Sequence, residues 1–115
     1  MDKKYRTFRE FYPYYLNEHR HPLNRGLHIT GTALLLICVI VAVWQAKWWM
    51  LTLVPLIGYG FAWIGHFFIE KNKPATFTYP WFSLASDFVM FGHFITGQLT
   101  RKLEEASRQM HQKDK

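Results

Sequence analysis

The chain has 115 residues, half of them hydrophobic and 18% aromatic, with 19% charged residues and a formal net charge of +6. That length provides one domain, and the near-neutral mean hydropathy conceals a segregation in which charge lies almost wholly outside two long apolar stretches, the pattern of a membrane protein with polar ends. The basic residues flank those stretches, which fits an anionic membrane face and argues against nucleic acid as the partner, and the single Cys38 excludes an internal disulfide.

The first 26 residues are charged and aromatic, without the pattern of a removable signal peptide. Within residues 3–18, Tyr5, Phe8, Tyr12, Tyr15 and Leu16 recur at helical spacing among Lys3, Lys4, Arg6 and Arg9. This predicts an amphipathic interfacial helix in the headgroup region, kinked or restarted at Pro13. A polar turn over Glu18–Arg25 follows, with Asn24 as a cap for the next helix. That helix is predicted from about Leu27 to Ala46, uncharged from Ile29 to Trp44 and long enough for a hydrocarbon core of roughly 30 Å. Trp44, Gln45, Lys47, Trp48 and Trp49 mark an interface and a reversal. A second apolar run, about Trp49 to Ile69, returns, with a bend at Pro55 and small residues Gly58, Ala62 and Gly65 along one side for close helix approach. Residues 27–70 thus read as a transmembrane hairpin.

Residues 72–80 read as a loop punctuated by Pro74 and Pro80. A third helix is predicted over residues 81–103, capped at Ser83, containing Asp87 and His93, and either crossing against the hairpin or lying half-embedded. The basic tail, residues 104–115, is expected to fray after Gln109. The expected fold class is all-α, a single integral membrane helical bundle over residues 1–115.

Lys47 stands at the hairpin tip, nineteen residues after His28 and nineteen before His66. Both histidines therefore reach the same depth, about 28 Å from the tip, and His19 could fold back to that level. Six Lys/Arg residues precede His28 (Lys3, Lys4, Arg6, Arg9, Arg20 and Arg25), and Lys71 and Lys73 lie on the same side. The histidines are therefore expected at the cytoplasmic face.

His66 and Glu70 leave one helix face. A carboxylate in the last turn of an apolar helix opposes the macrodipole and resists burial. Pairing with Lys71 or Lys73 would offset this, and so would a divalent cation. Intramembrane histidines are costly and tend to mark function. Imidazoles with a carboxylate and no usable thiolate suit Fe(II), Mn(II) or Zn(II). Asn24, Asn72, Ser83 and Asp87 could fix imidazole orientation, or serve as caps and turn residues. His21 and His93 read as structural or exposed, His111 as a solvated tail residue, and Tyr12, Tyr14 and Tyr15 as interface anchors.

Tyr15, His19, Pro22, Asn24 and His28, in the pattern Tyr-x3-His-x2-Pro-x-Asn-x3-His, resemble the first signature of the membrane-embedded 2-hydroxy fatty acid dioxygenases. Gly65, His66, Glu70, Pro74 and Ala75, followed by Ser83, are similar to the second. The resemblance covers about residues 11–97. The fungal member acts in phytosphingosine breakdown and carries additional membrane segments between the two signatures. The resemblance implies an Fe(II)-dependent enzyme that uses O2 to remove one carbon from a long-chain 2-hydroxy fatty acid. It makes His19, His28 and His66 iron ligands and Glu70 a further ligand or the group that orients His66, and for such a substrate Arg20 or Arg25 could pair with the carboxylate. The expected setting is a bacterial inner membrane. Two other readings stay open: a haem held between His28 and His66 as axial ligands, and a non-catalytic membrane scaffold or lipid-binding protein whose histidines meet only headgroups.

Overall fold

The computed structural model describes residues 4–74 and 77–113. Lys3, Ala75 and Lys115, which carried parts of the sequence reading, lie outside the described residues, as do the side chains of His111 and Lys113. Five α-helices follow one another: α1 (Phe8–Asn17), α2 (Pro22–Trp44), α3 (Leu53–Ile64), α4 (Pro80–Ile95) and α5 (Leu99–Lys113). A 3₁₀ turn, Trp48–Thr52, leads into α3, and a π turn, Gly65–Glu70, extends it. There is no strand among the described residues.

The hairpin has two legs of 23 residues, α2 and the continuous run Trp48–Glu70. Both are long and apolar enough to cross a membrane. Leu34, Ile37, Ile40 and Val43 on α2, and Leu56, Ile64, Phe67 and Phe68 on the second leg, point outward and are exposed. A core helix of a soluble protein buries such side chains; a helix in lipid has no need to. The chain is an all-α membrane bundle. The legs meet closely at glycines. A Cβ on Gly31 would stand 3.0 Å from Cβ of Phe61, and one on Gly58 would stand 3.4 Å from Leu35. The small residues expected to admit a neighbour thus admit the other leg.

The reversal is tight because Ala46 adopts a left-handed conformation (φ 54°), and the Lys47 amide donates back to the Ala42 carbonyl at 2.9 Å. This is the helix-terminating arrangement usually built on glycine.

The other helices gather at the histidine end. Thr7 caps α1, its hydroxyl accepting from the Glu10 amide at 3.2 Å, and α1 runs on through Pro13 without restarting. Its apolar stripe does not lie in the headgroups as expected. Phe11, Tyr12, Tyr15 and Leu16 are buried with Tyr5, Tyr79, Met90 and Ala106, so α4 and α5 take the place of lipid. Two further boundaries differ from expectation. His21, not Asn24, caps α2, its Nδ1 accepting from the Leu23 amide at 3.1 Å, because Pro22 suits the first helical position; Asn24 lies inside the helix, buried. Likewise Pro80 opens α4 and leaves Ser83 inside it.

The single third helix expected over 81–103 is two helices. Gly97 (φ 76°) stops α4, with the Gln98 amide donating to the His93 carbonyl at 2.8 Å. The chain then reverses into α5, whose Ala106 carbonyl accepts from the Asn17 side chain on α1 at 3.0 Å. The segment expected to fray after Gln109 is helical through Lys113. Phe82, at one end of α4, packs on Phe8 and Phe11. Phe94, at the other end, shares a groove with Pro22, Gly26 and Ile29. Both ends of α4 therefore stay with the base of the hairpin.

Of the three left-handed residues among those described, Ala46, Lys71 and Gly97, the first and the last predict opposite responses. Ala46→Gly should stabilise the fold by up to about 1 kcal/mol and Gly97→Ala should destabilise it by about 1 kcal/mol or more. Thermal unfolding in detergent checks both, as a rise and a fall in Tm.

Candidate metal centre

Three elements bring three imidazoles together. His19 ends the turn after α1, His28 sits two turns into α2, and His66 lies in the π turn. All three are buried, at 1%, 6% and 2% exposure. Their ring centroids are 4.2 Å apart for His19 and His28, 4.5 Å for His19 and His66, and 5.0 Å for His28 and His66. One ligand atom from each lies within 4.8 Å of the others. These are the three histidines on which the depth argument rested.

Each ring is oriented through Nδ1. His19 Nδ1 is 2.6 Å from the Tyr15 carbonyl, which can only accept, so this nitrogen carries a proton. His28 Nδ1 donates to the Asp87 carboxylate at 3.1 Å, and the Tyr15 hydroxyl donates to the same oxygen. His66 Nδ1 is 2.7 Å from Asn72 Oδ1. The Asn72 amide nitrogen donates to the Glu18 carbonyl and carboxylate at 3.1 and 3.2 Å, so Oδ1 is the acceptor and His66 the donor. A neutral imidazole with its proton on Nδ1 offers a lone pair on Nε2. All three rings are thus prepared as Nε2 ligands.

Nε2 of His19 and Nε2 of His28 face each other at 3.1 Å. Two lone pairs at that distance repel, and a shared proton or a cation between them removes the conflict. Burial holds the His19 imidazole well below the usual 6.5, and the neighbouring His28 and His66 push in the same direction. Protonation is therefore costly, and the three imidazoles form a group that could hold a metal ion. Ligands at about 2.1 Å from one ion stand at most roughly 4.2 Å apart, so a separation as wide as 4.8 Å would have to shorten for the rings to share an ion. Burial, with the Asp87 charge next, raises the pKa of Tyr15, so its hydroxyl remains a donor.

The other expected site residues are distributed differently. Asp87 and Asn72 hold imidazoles. Asn24 does not; its amide is buried without a protein partner and is pressed on Gly65, where a Cβ would fall 1.8 Å from Asn24 Oδ1. Ser83 has a buried hydroxyl without a partner and touches no imidazole. Glu70 is not among the converging groups. Its carboxylate accepts from the His21 amide at 2.5 Å, at the positive end of α2, and the Arg25 charge acts on it favourably, so the α2 N-terminus and an arginine take the part expected of Lys71, Lys73 or a divalent cation. Arg25 Nη1 donates to the carbonyls of His19 and Arg20 at 2.9 and 2.6 Å and so braces the turn that carries His19. Arg20 reaches Asn17 at the surface. Neither arginine lines the cavity described below. His93 is bonded to the Tyr12 hydroxyl at 2.8 Å.

Tyr15 and Glu18 were not foreseen as supports of the imidazoles. The four-residue interval from Tyr15 to His19 was the available signal for the first; nothing local pointed to the second.

A cavity of about 210 Å³ opens from the imidazoles. Its floor is α2 at His28, Thr32 and Leu35, and its walls are α3 from His66 to Val54 and α4 from Ser83 to Phe88. Tyr59 and Trp63 on one wall and Leu84 and Phe88 on the other are partly exposed, so the cavity opens sideways on the outward apolar surface. The third imidazole occupies the space that a macrocycle between His28 and His66 would need, which removes the haem reading. Three histidines this buried do not meet headgroups.

A family model described as "2-hydroxy-palmitic acid dioxygenase Mpo1-like" matches residues 5–99. No curated protein and no solved structure matches.

Two outcomes follow from this geometry. Asp87→Ala should weaken metal binding by about 10- to 100-fold, checked by titrating metal into metal-free protein. Above the usual histidine pKa of 6.5 His19 is neutral both folded and unfolded. Below it the unfolded chain takes up a proton that the folded chain resists, so stability falls with pH. Metal-free protein should lose Tm between about pH 7.5 and about pH 5, and His19→Gln should flatten that dependence.

Proposed function

The chain belongs to the Mpo1-like family, whose model matches residues 5–99, and from that premise we propose that it is an Fe(II)-dependent dioxygenase that shortens a long-chain 2-hydroxy fatty acid by one carbon with O2. The observation that carries this reading is the convergence of three buried imidazoles, each with Nδ1 bound to oxygen, at the closed end of an apolar cavity. The donor set fits the metal. Three neutral nitrogens suit a borderline divalent ion such as Fe(II) and leave positions open for other ligands. Bound iron would supply the activation of O2 that none of the twenty side chains provides.

His19, His28 and His66 would hold the ion, and Tyr15, Asp87 and Asn72 keep their rings from turning. Glu70, expected as a catalytic group, acts at one remove by holding the α2 N-terminus. The walls exclude water from the reacting end. Along α3 the lining from His66 to Val54 spans roughly 18 Å, room for much of a long acyl chain. The sideways mouth lets that chain pass from the bilayer without crossing water. The excess of Lys and Arg at the histidine end over Lys47 at the tip supports a cytoplasmic-facing site in an inner membrane, within a single membrane domain.

Protein purified gently in detergent and reconstituted anaerobically should hold about one Fe(II) per chain, as expected of a single three-histidine site. It should consume O2 when given 2-hydroxyhexadecanoic acid and release the acid one carbon shorter. His66→Ala should lose both iron and turnover. A variant that keeps both removes the reading.

A further inference from the structure

The polar groups at the reacting end of the cavity are almost all engaged. Each Nδ1 has its oxygen, the Tyr15 hydroxyl is given to Asp87, and both polar ends of Asn72 are bonded. Ser83 differs. It is 6% exposed, lines the cavity, and its hydroxyl has no partner. It stands one turn before Asp87 on α4, on the same helix face. It does not bond back to the preceding turn, the usual recourse of a helical serine. No lysine or arginine lines the cavity, and Arg25, expected as a partner for a carboxylate, is fixed on backbone carbonyls.

A carboxylate entering this space brings two oxygens. In the reading above, which this inference rests on, the metal can take one. The other would lie buried near the Asp87 carboxylate with no cation to meet it, and a buried charged oxygen without a donor is strongly disfavoured. We propose that Ser83 is the head-group anchor of the cavity: its hydroxyl donates to the carboxylate oxygen of the bound 2-hydroxy acid that the metal does not take. The unpaired hydroxyl and the missing cation are then two halves of one recognition element. It selects a monoanionic head group. An alcohol or diol of the same chain length gains only a neutral hydrogen bond from Ser83, about half as strong as one to a carboxylate, and a phosphate would bring a second charge with no lysine or arginine to meet it.

The test compares the iron-loaded wild type with Ser83→Ala and Ser83→Thr. Affinity is read by displacement of a fluorescent fatty acid, using 2-hydroxyhexadecanoic acid and hexadecane-1,2-diol, which keeps the chain and the 2-hydroxyl but lacks the carboxylate. Ser83→Ala should weaken the acid by about 10- to 100-fold, the range of one hydrogen bond to a charged group. The diol should lose much less than the acid, since a neutral hydrogen bond is the weaker one, the iron content should be unchanged, and Ser83→Thr should restore the acid. Where there is turnover, the loss should appear in KM with kcat little altered. Equal affinity of wild type and Ser83→Ala for the acid overturns the proposal. So does an equal loss for acid and diol, or a loss of iron, since either assigns Ser83 to the cavity's structure. Wild type that binds the acid without turning it over refutes the enzymatic reading, while the acid-to-diol comparison still decides Ser83. Wild type that does not bind the acid refutes both.

Discussion

An imidazole that gives its Nδ1 proton to an oxygen leaves an unprotonated Nε2 on the other side, and here three such rings are buried together. The arrangement depends on oxygens from three places: the Tyr15 carbonyl on α1, the Asp87 carboxylate on α4, and the Asn72 amide after the π turn. None of these groups belongs to the helix that supplies the second ring, α2. The centre therefore ties the hairpin to the helices at its base, and the packing of those helices in turn fixes the ring orientations. Tyr15 joins the two tasks, because its carbonyl directs His19 and its hydroxyl meets the carboxylate that directs His28. Facing lone pairs repel, and a shared proton or a cation between them would relieve that repulsion; the three imidazoles could hold a metal ion.

Close approach of the two hairpin legs makes this possible. Gly31 accepts Phe61 and Gly65 accepts Asn24 at distances that no side chain would allow, which brings His28 and His66 within reach of one ion. The third side of the cavity is α4, tied at both ends to the base rather than laid along the legs. The gap between α3 and α4 is lined by apolar groups and faces outward. Apolar walls and the three imidazoles thereby share one continuous space, with the polar groups gathered at the end where the helices converge.

Much of this is visible in the residues. Two uncharged runs of bilayer length separated by a tryptophan-rich, lysine-bearing turn define the hairpin, and equal spacing from Lys47 sets His28 and His66 at one level. These features depend on local composition and helical rise alone. Polar contacts were less legible. Glu70 appears four residues from His66 and so seems its natural neighbour, yet the side chain meets an amide forty-nine positions away. Arg25 reads as a free cation but closes on two carbonyls of its own turn. Gly97, which divides α4 from α5, was legible in principle as a glycine at a helix end, but the apolar pattern runs on across it.

Sequence by itself determined that the chain is helical, that two segments match a hydrocarbon layer, and which histidines share a depth, because rise per residue and hydrophobic length act along one element. Tertiary structure alone decided which face of α1 meets protein, where Asn72, Glu18 and Asp87 find their partners, and that three imidazoles are buried together. Those outcomes depend on the rotation and crossing of helices about one another, which is set by glycine contacts and long-range hydrogen bonds that no local pattern encodes.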